Sequence, residues 1–178
     1  MTVIRKQDVI SSVADALQYI SYYHPMDFVQ ALDEAYQREE SQAAKDAIAQ
    51  ILINSRMSAE GHRPICQDTG IVTCFVNIGM EVQWDSSDLT VQQMVDEGVR
   101  QAYTNPDNPL RASVLMDPAG KRINTKDNTP AVVHINMVQG DKVEIQIAAK
   151  GGGSENKTKM VMLNPSDDIA EWVEKTLP

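Results

Sequence analysis

Residues 131–149 read AVVHINMVQGDKVEIQIAA, with apolar and polar side chains alternating on both sides of a central Gly-Asp pair. An alternation of period two is typical of half-buried β-strands, and here it predicts strands over 131–139 and 142–149. Gly140 and Asp141 suit a tight two-residue turn. The sequence therefore predicts that these two strands pair directly as a hairpin.

The residues before position 60 follow a helical pattern instead. Apolar side chains recur there at three- and four-residue spacing, which predicts three amphipathic helices. Pro25 ends the first helix, because a proline disfavours helical geometry in the preceding residue, and it suits the first turn of the second. The third helix is predicted to begin near Ser41.

One more strand and two more helices are predicted in the rest of the chain. Residues 71–78, IVTCFVNI, are rich in β-branched and aromatic side chains and predict a buried strand. Residues 90–93, TVQQ, fit a capping box that opens a helix over 91–104. A last helix is predicted after Pro165.

The change of hydrophobic period near the middle of the chain predicts the fold class. We expect an α+β fold in which a helical N-terminal part, residues 1–60, packs on a mixed or antiparallel β-sheet in a sheet-containing part, residues 61–178. With 178 residues, 42% of them hydrophobic and 23% charged, the chain has the size and composition of a soluble globular domain.

Charge and cysteine content exclude several classes of function. The 16 basic and 25 acidic residues give a formal net charge of -9, which argues against non-specific binding to nucleic acid or to an anionic membrane. The chain has neither a long apolar run nor a signal-peptide pattern, so a cytoplasmic location is predicted. Two cysteines in a reducing compartment are expected to be free thiols or metal ligands.

The glycine-rich segment at 150–158, KGGGSENKT, is the most unusual local feature. Three consecutive glycines allow successive amides to turn inward and bind an anion, and Lys157 and Thr158 add a cation and a hydroxyl. The segment departs from a phosphate-binding loop, because Asn156 replaces the glycine before the lysine and Pro165 leaves no room for a long helix. A small-anion site or a plain exit loop is favoured over a nucleotide site.

The loop CQDTG at 66–70 carries the cysteine that is better suited to bind a metal. Cys66 lies among polar residues, where a thiolate has access to a ligand, whereas Cys74 lies in the predicted buried strand and is expected to be a core residue. A zinc site that uses His62 is disfavoured because two further ligands are missing nearby. A cysteine nucleophile activated by His134 is disfavoured because the place of His134 in an alternating strand predicts a polar-face residue.

Arg111 lies two residues after Pro109 in the irregular loop that follows the predicted 91–104 helix. The planar guanidinium of an arginine can hold a carboxylate through two parallel hydrogen bonds, although most loop arginines are simply solvated. Together, the cysteine loop, the arginine loop and the glycine-rich segment suggest a site for a small anion.

Three segments resemble motifs of class I fumarate hydratases and of the related L-tartrate dehydratase α subunits. They are residues 63–70 (RPICQDTG), 128–134 (NTPAVVH) and 149–157 (AKGGGSENK). The resemblance extends over essentially the whole chain. It implies a hydro-lyase of the tricarboxylic acid cycle that hydrates fumarate reversibly to (S)-malate at a [4Fe-4S] cluster, with three cysteine ligands and an open iron that acts as a Lewis acid.

The resemblance also assigns roles to individual residues. Cys66 matches the first cluster cysteine, the metal ligand. The residues that match substrate-binding positions are Gln67, Asp68, Arg111, Gly153, Asn156, Lys157 and Thr158. No residue of this chain matches the family's catalytic base, and Cys74 matches neither of the other two cluster cysteines.

This departure predicts an N-terminal fragment of such an enzyme, folded but inactive and without a cluster by itself. Its expected partners are the remainder of the same polypeptide or a β subunit, a C4-dicarboxylate substrate and, at full length, a second copy in a homodimer. A tartrate dehydratase-like hydro-lyase and a non-catalytic domain that binds small anions stay as alternatives.

Overall fold

The structure, a computed structural model, describes residues 2–177, except for the side chains of residues 154 and 155. The helices in these residues are α1 (Lys6–Tyr22), α2 (Met26–Arg38), α3 (Gln42–Gly61), α4 (Val91–Tyr103), α5 (Gly152–Asn156) and α6 (Ile169–Thr176). The strands are β1 (Val3–Ile4), β2 (Ile71–Gly79), β3 (Gln83–Trp84), β4 (Leu115–Met116), β5 (Ile123–Asn124), β6 (Val132–Val138) and β7 (Val143–Lys150). No helix of the described residues is both long enough and apolar enough to cross a membrane.

The principal sheet has three strands in the order β6-β2-β7. β2 is parallel to β6, with Thr73 opposite Val132, and antiparallel to β7, with Ile71 opposite Lys150. The pairs β1-β3 and β4-β5 form separate two-stranded ribbons. The predicted α+β class with a mixed sheet is confirmed.

The predicted hairpin between β6 and β7 is wrong, because β2 lies between them. The short connection from β6 to β7 crosses the end of β2, where the Gly79 amide donates to the Lys142 carbonyl at 2.8 Å and the Glu81 amide donates to the Gly140 carbonyl at 2.9 Å. A Cβ on Gly79 would lie 2.3 Å from the Gly140 oxygen, so this crossing requires glycine. Alternation correctly predicts the face of β7 that packs on the core, whereas on β6 Ile135 and Met137 of the predicted face are 48% and 62% exposed. Alternation also does not choose the neighbouring strand.

Helices α1 and α4 pack against each other and cover one face of the sheet. Fully buried side chains from α1, α4 and β2 form the centre of this core: Val13, Leu17, Val95, Val99, Val72, Cys74 and Val76. The two helices approach closely at Gly98, where a Cβ would lie 2.7 Å from both the Ile10 carbonyl oxygen and Val13 Cβ. The predicted capping box of α4 is confirmed by reciprocal hydrogen bonds between Thr90 and Gln93.

The remaining helices are more exposed. α2 packs on α3, and none of its residues is buried. The buried residues of α3 are two serines, Ser55 and Ser58, and α6 has none. The positions of the three N-terminal helices agree with the predicted boundaries at Pro25 and Ser41, but α1 supplies most of the apolar side chains that this part contributes to the core.

Candidate functional site

The loop between α3 and β2 carries Cys66 on the protein surface. The exposed Cys66 thiol donates a hydrogen bond to Gln67 Oε1 over 3.4 Å. The Asp68 amide in turn donates to Cys66 Sγ, also at 3.4 Å. The two residues after the cysteine therefore orient a sulfur that stays accessible, which is what a ligand thiol requires.

Glycines allow this loop to approach the end of β7. Gly70 has a φ of 76°, and a Cβ there would lie 2.5 Å from the carbonyl carbon and oxygen of Lys150. A Cβ on Gly151 would lie 3.0 Å from Asp68 Oδ2. Glycine at these two positions brings together segments that are far apart in sequence.

The rest of the glycine-rich segment forms the short helix α5, where an exit loop was one of the predictions. A Cβ on Gly152 or Gly153 would meet no atom within 4 Å, so both residues border open space. No local pattern predicts this helix, because glycine is a poor helix former. The side chains of Ser154 and Glu155, which belong to the quoted motif, lie outside the described residues.

Two successive hydrogen bonds, one exposed and one partly buried, link the loop that carries Arg111 to Thr69 and to the end of α4. Thr69 Oγ1 donates to the Arg111 carbonyl oxygen. The Tyr103 hydroxyl, at the end of α4, donates to the Thr69 carbonyl at 2.8 Å. Burial raises the pKa of Tyr103, which keeps its phenol in the protonated form that can donate.

Asn128 is a residue that sequence reasoning did not assign. It occurs in one of the quoted motifs, but it carries no charge and has no pattern that points to a role. In the structure it is completely buried and hydrogen-bonded to residues of both the cysteine loop and the arginine loop. Only the tertiary structure identifies these partners.

Five of the seven predicted substrate-binding residues line one open cleft of about 360 Å³. They are Gln67, Asp68, Arg111, Gly153 and Asn156, and Ser113 and Gly152 complete the lining. Among the described residues, the exposed Arg111 guanidinium has no hydrogen bond or ion pair, so its donors are available to a ligand. Lys157 and Thr158 are exposed and do not belong to this lining.

Cys66 lines an adjacent cavity of about 220 Å³, together with residues of α1 and Tyr103. Asp68 lines both this cavity and the cleft. The structure therefore places the cysteine beside the five cleft residues but not among them. The roles of all these side chains stay predictions.

The cysteines of this chain do not supply the three thiolates of the [4Fe-4S] cluster that the resemblance implies. Cys74 is fully buried, and burial raises the pKa of its thiol to about 11, with the Asp96 carboxylate adding to the effect. It is a core residue, as predicted. Within residues 2–177, as far as they are described, no group of three or more His, Cys, Asp or Glu could hold a metal ion.

Two histidines considered as metal ligand or base are occupied elsewhere. His62 stacks on Tyr22 with ring centroids 4.7 Å apart, and its Nε2 lies 3.2 Å from the Tyr23 hydroxyl. His134 is exposed on β6 and stacks on Phe75 at 4.9 Å. Both rings thus make aromatic contacts, and the preference against a zinc site or a cysteine nucleophile stays a prediction.

Comparison with known proteins identifies relatives of this chain. A family model described as fumarate hydratase (Fumerase) matches residues 10–178. The chain is 33% identical over 161 residues to a putative L(+)-tartrate dehydratase subunit alpha of Methanocaldococcus jannaschii, which covers 88% of this chain and 55% of that protein.

Class I fumarate hydratases are also similar. The anaerobic enzyme of Escherichia coli K12 is 33% identical over 120 residues, covering 67% of this chain and 21% of the relative. The aerobic enzyme of the same strain is 29% identical over 161 residues, covering 85% and 29%. The chain thus spans about half the length of the tartrate dehydratase relative and under a third of the fumarate hydratases.

Proposed function

The chain belongs to the fumarate hydratase (Fumerase) family, and from this premise we propose that it is part of a hydro-lyase that reversibly hydrates fumarate to (S)-malate. The observation that carries the proposal is the cleft in which Gln67, Asp68, Arg111, Gly153 and Asn156 come together. Three chain segments contribute to this cleft, and each carries residues predicted to bind substrate.

The chemistry of the cleft suits a C4 dicarboxylate. A protein with a net charge of -9 needs a local cation to hold an anion, and Arg111 can supply two parallel hydrogen bonds to one carboxylate. The Gln67 and Asn156 amides can both donate and accept hydrogen bonds, whereas an ionised Asp68 can only accept. Asp68 is therefore suited to the hydroxyl group of malate rather than to a carboxylate.

The proposed cofactor is a [4Fe-4S] cluster with Cys66 as one ligand. The two other thiolates and the catalytic base would come from outside these 178 residues, either from further polypeptide or from a β subunit. By itself the chain would then hold no cluster and show no turnover. The proposal extends to a homodimer of the complete enzyme in the cytoplasm.

A second substrate is favoured by one observation. A putative tartrate dehydratase α subunit is 33% identical to this chain over 161 residues, which cover 88% of the chain. Tartrate is also a C4 dicarboxylate, and it has a hydroxyl group on each of its central carbons. We therefore include it as the alternative substrate of the same cleft.

The proposal is tested by nuclear magnetic resonance titration of the 178-residue chain with fumarate, (S)-malate, L(+)-tartrate and butyrate. We expect amide shifts at residues 67–68, 111–113 and 152–156 with the dicarboxylates, and much weaker shifts with the monocarboxylate. Arg111→Lys should weaken dicarboxylate binding roughly tenfold, because lysine keeps the charge but loses the two-donor fork.

Arg38→Lys, on the exposed helix α2, is the matched control and should bind as the wild type does. If no dicarboxylate shifts any of the cleft amides, this chain does not form the binding site and the proposal is wrong. Preferential shifts with tartrate would identify the alternative substrate.

Anaerobic reconstitution with iron and sulfide tests the cofactor. We expect no stable cluster on the chain alone, because one thiolate cannot replace three. Adding the missing portion of the enzyme should restore the cluster in wild type but not in Cys66→Ser. A full cluster bound to the isolated chain would contradict the proposed ligand set.

A further inference from the structure

Asn128 is the completely buried polar side chain at the junction of the two loops that border the cleft. Its relative exposure is 0%. Asn128 Oδ1 accepts hydrogen bonds from the amides of Ser113 at 2.7 Å and Val114 at 3.1 Å. Asn128 Nδ2 donates to the Gly70 carbonyl at 2.9 Å. One amide group thus connects both loops through their backbones.

The partners lie next to the residues that line the cleft. Gly70 ends the loop that carries Gln67 and Asp68, and Ser113 and Val114 directly follow the segment with Arg111. The hydrogen bonds of Asn128 therefore connect the backbone next to Arg111 with the backbone next to Gln67 and Asp68.

Few side chains could replace asparagine here. The position needs an acceptor for two amides and a donor for a carbonyl at once, and a side-chain amide has both. An ionised aspartate would accept from both amides but could not donate to the Gly70 carbonyl. The backbone φ of Asn128 is 62°, in the left-handed region that asparagine tolerates better than most residues.

Two other side chains also join the loops, but they are less protected. Thr69 Oγ1 donates to the Arg111 carbonyl, and Ser113 Oγ donates to the Gly70 carbonyl at 3.3 Å. Because Ser113 is exposed, water can replace the partner of its hydroxyl, whereas water cannot readily replace the partners of Asn128. The contacts of Asn128 are therefore the ones that most restrict the spacing of the loops.

We infer that Asn128 is a positioning residue of the cleft: it fixes the distance between Arg111 and the Gln67-Asp68 pair and so sets the geometry in which a dicarboxylate binds. The nature of the ligand rests on the proposed function. The connection between the loops does not, because it follows from the contacts alone.

The test compares Asn128→Gly, Asn128→Asp and Asn108→Ala in the full 178-residue chain. Glycine removes the side chain and keeps the left-handed backbone accessible. Aspartate keeps the two acceptor contacts and loses the donor. Asn108 is the matched control, a second buried asparagine that is 5% exposed and donates to Gln18 Oε1 at 2.8 Å but does not line the cleft.

Two quantities are measured under conditions where each variant is folded: fumarate affinity, and hydrogen exchange of the Ser113 and Val114 amides. We expect Asn128→Gly to lose about tenfold in affinity and to exchange both amides faster, by a similar factor. Asn128→Asp should lose affinity while both amides stay protected. Asn108→Ala should keep wild-type affinity and wild-type exchange at these amides, whatever its melting temperature.

A purely structural role for Asn128 would lower the melting temperature without changing the affinity of the folded protein, and that result would overturn the inference. If Asn128→Gly does not fold, unchanged fumarate affinity in Asn128→Asp overturns it instead. If the wild type binds no dicarboxylate, the proposed function fails, and exchange at Ser113 and Val114 in Asn128→Gly alone decides whether Asn128 connects the loops.

Discussion

Helices α4 and α6 have similar amphipathic patterns and N-terminal caps but very different surroundings. Both are amphipathic and both begin at a side-chain cap: Thr90 accepts from the Gln93 amide at 3.2 Å, and Asp168 accepts from the Ala170 amide at 2.8 Å. Yet α4 buries six residues, whereas Ile169 on α6 is 69% exposed and Val173 is 49% exposed.

The difference lies in what each helix meets. α4 lies against α1 and the sheet, and its Gly98 permits a close approach between the helices. α6 and the segment before it line a small apolar groove, to which Val161, Leu163 and Trp172 contribute. A local sequence pattern is therefore sufficient to start a helix, but burial depends on a complementary surface elsewhere in the chain.

The largest expected effect is the difference in the free energy of unfolding between matched substitutions in α4 and α6. Val99→Asp in α4 places an unpaired carboxylate in the core and should reduce the free energy of unfolding by more than about 4 kcal/mol, enough to unfold the chain. Val173→Asp in α6 should change it by less than about 0.5 kcal/mol, as expected of an exposed position. Urea unfolding followed by circular dichroism measures both, and an equal loss in the two variants would contradict the contrast.

The same contrast between a buried and an exposed position applies to Cys74 and Cys66, where it predicts how stability depends on pH. Since the pKa of Cys74 is raised from 9.0 to about 11, its thiol ionises in the unfolded chain before it does so in the folded one. Below pH 9 the protonated Cys74 thiol makes its full contribution to the free energy of unfolding. This contribution is lost as the pH rises through about 11, a decrease of roughly 2–3 kcal/mol.

Unfolding curves across this pH range, measured for wild type, Cys74→Ala and Cys66→Ala, isolate this contribution. The decrease should be smaller in Cys74→Ala than in the wild type and unchanged in Cys66→Ala, because Cys66 is exposed. Identical pH dependence in all three proteins would show that burial in the core does not raise the pKa of Cys74.

Gly98→Ala tests the close approach of α4 and α1. Alanine favours a helix by about 1 kcal/mol over glycine, but its Cβ would lie 2.7 Å from the Ile10 carbonyl oxygen. We expect the steric clash to dominate and to reduce the free energy of unfolding by about 1–2 kcal/mol.

Gly61→Ala is the matched control near the end of α3, where the nearest atom to a Cβ is Arg63 Cγ at 3.8 Å. It should be neutral or slightly stabilising. If Gly98→Ala were stabilising too, the helices would be less closely packed than the structure indicates.

The smallest effect compares the two N-caps. Thr90→Ala should reduce the free energy of global unfolding by about 1 kcal/mol, because α4 unfolds with the core. Asp168→Ala removes a cap of similar strength, but α6 can fray without disturbing the core, so the global value should stay within about 0.3 kcal/mol of wild type. Amide exchange at Glu171 and Trp172 should nevertheless become faster, and a global loss equal to that of Thr90→Ala would mean that α6 is part of the cooperative unit.

The candidate site shows the same division between local pattern and tertiary contact. The motifs around Cys66, Arg111 and Gly153 were recognisable in the sequence because their residue types and order are unusual. That five of their residues would share one cleft, with Cys66 in the adjacent cavity, depended on close approaches at Gly70 and Gly151. No local pattern specifies such an approach, and none identified Asn128 as the connection.

The sequence motifs by themselves were enough to identify the family. The sequence also determined local features of this protein: the helix starts at Pro25, Ser41 and Thr90, and the apolar face of β7. These depend on backbone propensities, capping and side-chain periodicity, which act over a few residues. The tertiary structure alone decided that β2 separates β6 from β7, that α4 is buried and α6 is not, and which loops form the cleft. These outcomes depend on complementary surfaces formed by residues far apart in the chain. At such surfaces a single buried side-chain amide, as in Asn128, or a single glycine, as at position 70, determines which segments can meet.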